Sequence, residues 1–195
     1  MAKGRPRSFD TDEALDLALN VFWRQGYEGT SVADLTEAMG INPPSLYAAF
    51  GSKEELFRKA VERYASGPAA YLCEALAAPT ARDVAERLLL GAIGVLTDKC
   101  HPRGCLMVQG ALACGRESEA IREELCARRK AVQGEIRARF ERAKKDGDLP
   151  CEAEPAHLAR YFSAVIEGLA VQAAGGASRK DLTRVAELAM RAWPA

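Results

Sequence analysis

Apolar side chains recur every three or four residues along nearly the whole chain. Ala14, Ala18 and Phe22 share one face of a predicted helix over residues 10–25, with Leu15 and Val21 beside them. Such a stripe marks a helix that packs on one side. Val32, Leu35 and Met39 repeat the pattern in a second, shorter helix. Further on, the same spacing predicts helices over residues 68–78, 81–97, 105–115, 119–145, 155–174 and 179–192. Val, Ile and Thr seldom cluster, while Ala, Leu, Glu and Arg recur, so the fold class is all-α. The chain shows no internal repeat and no low-complexity linker.

The polar punctuation sharpens the first sixty residues. Gly26 is placed to end the first helix, and Ser31 with Asp34 forms a capping-box pattern that opens the second. Gly40 stops it. Ser52 with Glu55 opens another helix that runs to about residue 65. Between Gly40 and Gly51 only a short helix fits, Pro43 to Phe50. Its first four N–H groups have no partner within the helix, so Pro43 and Pro44 fit its opening turn at little cost. Asn42 is a good N-cap, and because Pro44 has no N–H it caps only the amide of Ser45. Pro43 itself precedes a proline and is pushed away from helical angles, so a tight, irregular first turn is expected.

Helix, tight turn and short helix make a helix-turn-helix. Leu46 and Phe50 turn inward, towards Ala18, Phe22 and Leu35. Pro43, Pro44, Ser45, Tyr47 and Ala48 remain at the N-terminus and outer side. In such a motif the N-terminal residues of the second helix meet base edges in the major groove. A plain helical corner with a solvated face is the alternative.

Charge adds little. Lys+Arg and Asp+Glu both number 27, so any nucleic-acid contact must rest on local patches. The arm Lys3, Arg5 and Arg7 is one, suited to phosphates or an A·T-rich minor groove. Residues 1–55 nevertheless carry 5 basic against 9 acidic side chains, so only the arm and the Lys53 corner are positive. The basic start is followed by an acidic stretch rather than an apolar leader, and the longest apolar run, residues 88–96, falls short of a bilayer span. A cytoplasmic protein without a membrane partner is expected.

Catalytic and metal chemistry find little support. Cys73, Cys100, Cys105, Cys114, Cys126 and Cys151 stand singly, as reduced thiols do. Cys100-His101 with Cys105 lacks a second cluster, and the other histidine, His157, is far along the chain, so no metal site is expected. No nucleophile pairs with a base, so no catalytic residue and no cofactor are assigned. The basic run at Arg128, Arg129 and Lys130 is interleaved with glutamates and reads as a solvated helix face.

Residues 26–35 (GYEGTSVADL), 38–42 (AMGIN), 45–47 (SLY) and 50–56 (FGSKEEL) together resemble the N-terminal domain of the TetR family of bacterial repressors, over roughly residues 8–58. The rest of the chain is similar only in layout. The resemblance implies a three-helix DNA-binding module at residues 1–55 and a larger helical domain for ligand binding and dimerisation at 56–195. It implies that Thr30 and Ser31 hold a phosphate, that Asn42, Pro43, Pro44 and Ser45 face the groove, and that Tyr47 and Lys53 reach phosphates. With prolines and serine on the reading face, bidentate base contacts are scarce, and thymine methyls and DNA shape are expected to count.

Members of that family are similar in pairing their last two helices into a homodimer. Here the implied interface is Leu158, Phe162, Val165, Ile166 and Leu169 with Leu182, Val185, Leu188 and Ala189, and the stripes serving only a monomer core is the alternative. A two-fold dimer demands a roughly palindromic double-stranded operator. An unknown small-molecule effector would meet Tyr71, Met107, Tyr161 and Phe162, all of which suit an ordinary core equally. The function expected is a ligand-responsive repressor. Two alternatives stand beside it: a thiol-oxidation sensor using Cys100, Cys105 or Cys114, and a helical small-molecule-binding protein with vestigial DNA binding.

Overall fold

The computed structural model describes residues 9–112, Gly115 and 118–194, and every regular element among them is helical. The arm residues Lys3, Arg5 and Arg7, and also Cys114, lie outside the described residues. Helix α1 (Thr11–Gly29) is capped by Asp10, whose carboxylate accepts from the amides of Asp12 and Glu13. As expected, the regular helix geometry breaks at Gly26, which takes φ 72° and ψ 179°, a conformation that glycine tolerates. One further short turn, to Gly29, follows beyond this kink.

Helices α2 (Val32–Met39), α3 (Pro43–Phe50) and α4 (Lys53–Ser66) follow the sequence punctuation closely. Both capping boxes are formed, Ser31 with Asp34 and Ser52 with Glu55. Gly40 closes α2 in the left-handed conformation. The stretch predicted as one helix over 68–78 divides into a 3-10 turn (Pro68–Ala70) and a short α5 (Tyr71–Leu76). Helices α6 (Ala81–Leu96), α7 (Leu106–Leu112), α8 (Glu119–Lys145), α9 (Pro155–Ala174) and α10 (Arg179–Arg191) complete the chain.

Two apolar clusters hold these helices. The first gathers Phe22, Trp23, Leu35, Leu46, Phe50, Phe57 and Tyr64 from α1 to α4, and draws in Leu106, Ile121 and Leu125 from α7 and α8. Phe57 sits at its centre, edge-on to Phe22 at 5.0 Å and to Tyr27 at 5.2 Å. Burying a side chain of this size is worth about 1.5–3 kcal/mol. The second cluster joins α5, α6, α8, α9 and α10 through Leu88, Leu89, Ile93, Phe140, Phe162 and many alanines.

The α9 and α10 stripes divide. Phe162, Leu169, Leu182 and Ala189 are closed inside this second cluster, with Phe162 edge-on to Phe140 at 6.4 Å. They serve the chain's own core, because α9 packs on α6 and α8, and α10 on α6 and α9, with that face. Leu158, Val165 and Ile166 are half-buried at its margin, while Val185 and Leu188 stand outside at 44% and 59% exposure.

Candidate nucleic-acid interface

The corner between α2 and α3 is built by local hydrogen bonds. The Asn42 side-chain oxygen accepts from the Ser45 amide at 2.9 Å, the one cap the double proline leaves open. Leu46 and Phe50 anchor α3 in the first cluster, being 0% and 5% exposed. Asn42, Pro43, Pro44 and Tyr47 face outward and Ser45 is half-buried, so the small residues of the first turn form a low surface with the Tyr47 ring rising beside it. The anchored face leaves the outer one free for a partner.

Thr30 and Ser31 differ from the expectation. Thr30 is buried, and its hydroxyl donates to the Gly26 carbonyl at 2.6 Å, filling the acceptor that the kink frees. Its side chain therefore has no hydroxyl to offer a phosphate. Ser31 is exposed, but its hydroxyl donates to Asp34 at 2.7 Å and its own amide donates to the same carboxylate at 2.8 Å. These bonds hold the Asp34 carboxyl below the usual carboxylate range, so a phosphate arriving there meets a negative charge. A capping box and an anion site compete for the same donors.

Lys53 opens α4 on the same side. Its ammonium lies 4.4 Å from the centre of the Tyr27 ring, a cation–π contact. Partial burial pushes its pKa down, and the carboxylates of Glu28 and Asp34 pull it back up. Tyr27 and Glu28 were not singled out in the sequence. Their relation to Lys53 comes from the turn after Gly26, and an aromatic-acidic pair in a turn carries no periodic signal.

The four residues expected to meet an effector are not gathered into one place. Tyr71 belongs to the margin of the second cluster and Met107 to that of the first. Tyr161 points outward at 39% exposure, whereas Phe162 is fully enclosed in the second cluster. Tyr71 lies flat against Gly91, where a β-carbon would come within 2.4 Å of the ring. Burial pushes its phenol pKa up, and the Tyr64 phenol, raised by burial first and then by Cys105, donates to the Cys105 sulfur at 3.4 Å. Trp23 caps this layer, its indole N–H donating to the Gly104 carbonyl at 3.0 Å with His101 stacked upon it. Gln109 Oε1 and Arg129 Nε are buried without a hydrogen-bond partner among the described residues. No group of three or more His, Cys, Asp or Glu among the described residues is arranged to hold a metal, and no described helix is long and apolar enough to cross a membrane.

Known proteins share this arrangement. Residues 14–60 match the family model of bacterial regulatory proteins, tetR family, and residues 85–189 match that of the tetracyclin repressor-like C-terminal domain. The HTH-type transcriptional repressor ComR of Escherichia coli (strain K12) is 34% identical over 99% of this chain and 93% of its own. The HTH-type transcriptional repressor BdcR of the same organism is 45% identical over 37% of each chain. A cysteine mutant of the TetR family transcriptional regulator CifR, solved with 26bp double-strand operator DNA, superposes with a TM-score of 0.93 and 47% identity, covering 97% of this chain and 100% of that one. With its helix-turn-helix and both family models in place, the chain belongs to the tetR family of bacterial regulatory proteins and is a DNA-binding transcription regulator, not an enzyme.

Proposed function

We propose that this regulator is a repressor that holds a roughly palindromic operator as a homodimer and releases it when a small molecule binds its C-terminal helices. The observation that carries the reading is α3: an anchored helix whose small, Asn42-capped first turn faces outward. Asn42, Pro43, Pro44 and Ser45 approach the groove, and Tyr47 and Lys53 bond phosphates on either side. Ser31 contributes only if its capping box opens. The arm of Lys3, Arg5 and Arg7 adds phosphate or minor-groove contacts. ComR and BdcR are named as repressors, and CifR was solved on operator DNA. A cytoplasmic site of action goes with that role.

Residues 1–55 are the DNA-binding part and 56–195 the effector and dimer part. Tyr71 and Met107 remain effector candidates, joined by Gln109 and Arg129, whose buried polar atoms lack partners. Effector and operator are linked by a coupling free energy of about 1–3 kcal/mol, carried through α4. The dimer face is Val185 and Leu188 with the half-buried Leu158, Val165 and Ile166.

Two measurements test this reading. Fluorescence anisotropy with the DNA upstream of the protein's own gene should show tight binding. Tyr47→Phe and Lys53→Met should each weaken it, and Lys53→Met should also lower the salt slope by about 0.9 for the lost cationic phosphate contact. Sedimentation should show a dimer that Val185→Glu with Leu188→Glu converts to a folded monomer with little operator affinity. Binding indifferent to the first pair, or a dimer indifferent to the second, removes the corresponding part.

A thiol trigger on the same fold is the second reading, favoured by the Tyr64–Cys105 contact between the two clusters. Cys100 is exposed and Cys105 half-buried. If regulated release is unchanged after Cys100, Cys105 and Cys114 are replaced by serine, that trigger is excluded.

A further inference from the structure

Lys53 is surrounded by side chains of two elements, α1 and α2. The Tyr27 ring lies under its ammonium, and Glu28 and Asp34 supply negative charge around it. The two carboxylates are held differently. Asp34 is engaged by the amide and hydroxyl of Ser31, three residues away, within one capping box. Glu28 instead accepts from the amide of Gly115 at 2.7 Å, 87 residues along the chain.

Gly115 lies between α7 and α8, in the part of the chain proposed to take the effector. The contact is close: a β-carbon on Gly115 would come within 3.2 Å of both Glu28 carboxylate oxygens. It also bypasses α4. Helix α7 packs tightly on α8, where a β-carbon on Gly110 would stand 2.9 Å from Leu125, and Gly115 sits in the connection between them. The turn that places Glu28 here exists because Gly26 breaks α1.

We infer that Glu28 is a positioning residue for the DNA contact at Lys53, and that its hydrogen bond to the Gly115 amide decides whether that lysine meets phosphate or carboxylate. While the amide holds it, the Glu28 carboxylate is largely satisfied by a charge-assisted hydrogen bond, and only its residual field acts on Lys53, which can still meet DNA. When the α7–α8 junction shifts, the carboxylate loses its donor. The cation whose charge it already feels is Lys53, and the two pair at the expense of the phosphate. This rests on the proposed role of Lys53 at the operator.

The test is a mutant cycle on the full-length protein, read as operator affinity by anisotropy at two salt concentrations, with no effector required. Gly115→Pro removes the amide donor and should weaken binding about 5-fold or more, the lower end of ordinary coupling. Glu28→Gln should tighten binding at least about two-fold and should cancel the loss caused by Gly115→Pro. In a Lys53→Met background Glu28→Gln should have no effect, whereas general relief of negative charge would persist there. A Gly115→Pro loss that survives in the Glu28→Gln background overturns the inference. So does a Glu28→Gln gain that survives Lys53→Met, or the absence of any gain. If Gly115→Pro melts early by circular dichroism, the Glu28→Gln and Lys53→Met pair decides alone. Should Lys53→Met itself leave operator binding intact, the DNA role of Lys53 fails; if it weakens binding while the cycle is additive, only the present inference fails.

Discussion

The two apolar clusters are built differently. The first packs aromatic rings from helices each capped by a side chain: Phe22, Trp23, Phe50, Phe57 and Tyr64 all lie inside it. The second brings longer helices together over alanines such as Ala85, Ala92, Ala159, Ala170 and Ala173, with Phe140 and Phe162 between them. The large apolar side chains left outside fall unevenly. Around the DNA-binding helices they are Leu17 and Tyr47, whereas Leu90, Tyr161, Val171, Val185 and Leu188 stand out from the second cluster. The first unit is closed with the help of Leu106, Ile121 and Leu125 from α7 and α8 and leaves the Tyr47 phenol on its outer face. The second is an unfinished surface on α9 and α10, as the proposed dimer requires.

The largest test of that contrast compares the two central phenylalanines. Phe57→Ala and Phe162→Ala each remove a fully buried ring and should cost about 3–5 kcal/mol, measured by urea unfolding. Their consequences should diverge. Phe57 touches Phe22 and Tyr27, so its loss should abolish operator binding even at temperatures where the protein stays folded. Phe162→Ala, below its own melting point, should keep the intrinsic DNA contacts and lose affinity only through the dimer. Equal loss of operator binding in both would break the distinction between the clusters.

A smaller effect sits at the cap of α3. Asn42→Ala leaves the Ser45 amide without its side-chain acceptor and should cost about 1 kcal/mol of stability by thermal melting. Operator affinity should fall further than that figure implies, because the same turn faces the groove. Loss of stability with unchanged affinity would make the turn a structural corner only.

The smallest expected effect tests the tie between α1 and α4. Arg63 donates twice to Asp16, at 2.7 and 2.8 Å, and these hydrogen bonds hold the Asp16 carboxyl below its ordinary value. Because the folded pKa is depressed, the stabilisation is present above the ordinary aspartate pKa of about 3.9 and fades as pH falls through the lower folded value. Both side chains are partly exposed, so Asp16→Asn should cost only about 0.5 kcal/mol at pH 7. The gap in melting temperature between mutant and wild type should begin to narrow below about pH 4 and close once the pH is below the depressed folded value. A gap that persists there would point to packing rather than charge.

Much of the first unit was legible because its signals are local. Ser31 with Asp34, Ser52 with Glu55 and Asn42 with Ser45 are each three residues apart, and a cap needs nothing beyond its own turn. The boundaries of α8 and α9 were equally legible from proline, glycine and apolar spacing. The break at Gly26 was legible too, and what the sequence left out is the short turn beyond it, which brings the Tyr27 ring against Phe57. The inward turn of Thr30 was hidden for a related reason: the kink frees a carbonyl, and the nearest hydroxyl fills it.

By itself the sequence determined the helical class, the order of elements and the outward face of the double-proline helix, since periodicity, caps and missing amides act within a few residues. The tertiary structure alone decided which side of α9 and α10 is core and which is surface. An apolar stripe records only that a face avoids water, not which neighbour covers it. Distance along the chain likewise hid the meeting of Glu28 with Gly115 and of Tyr27 with Lys53. Those contacts arise only when the kink at Gly26, the start of α4 and the α7–α8 junction are packed against one another.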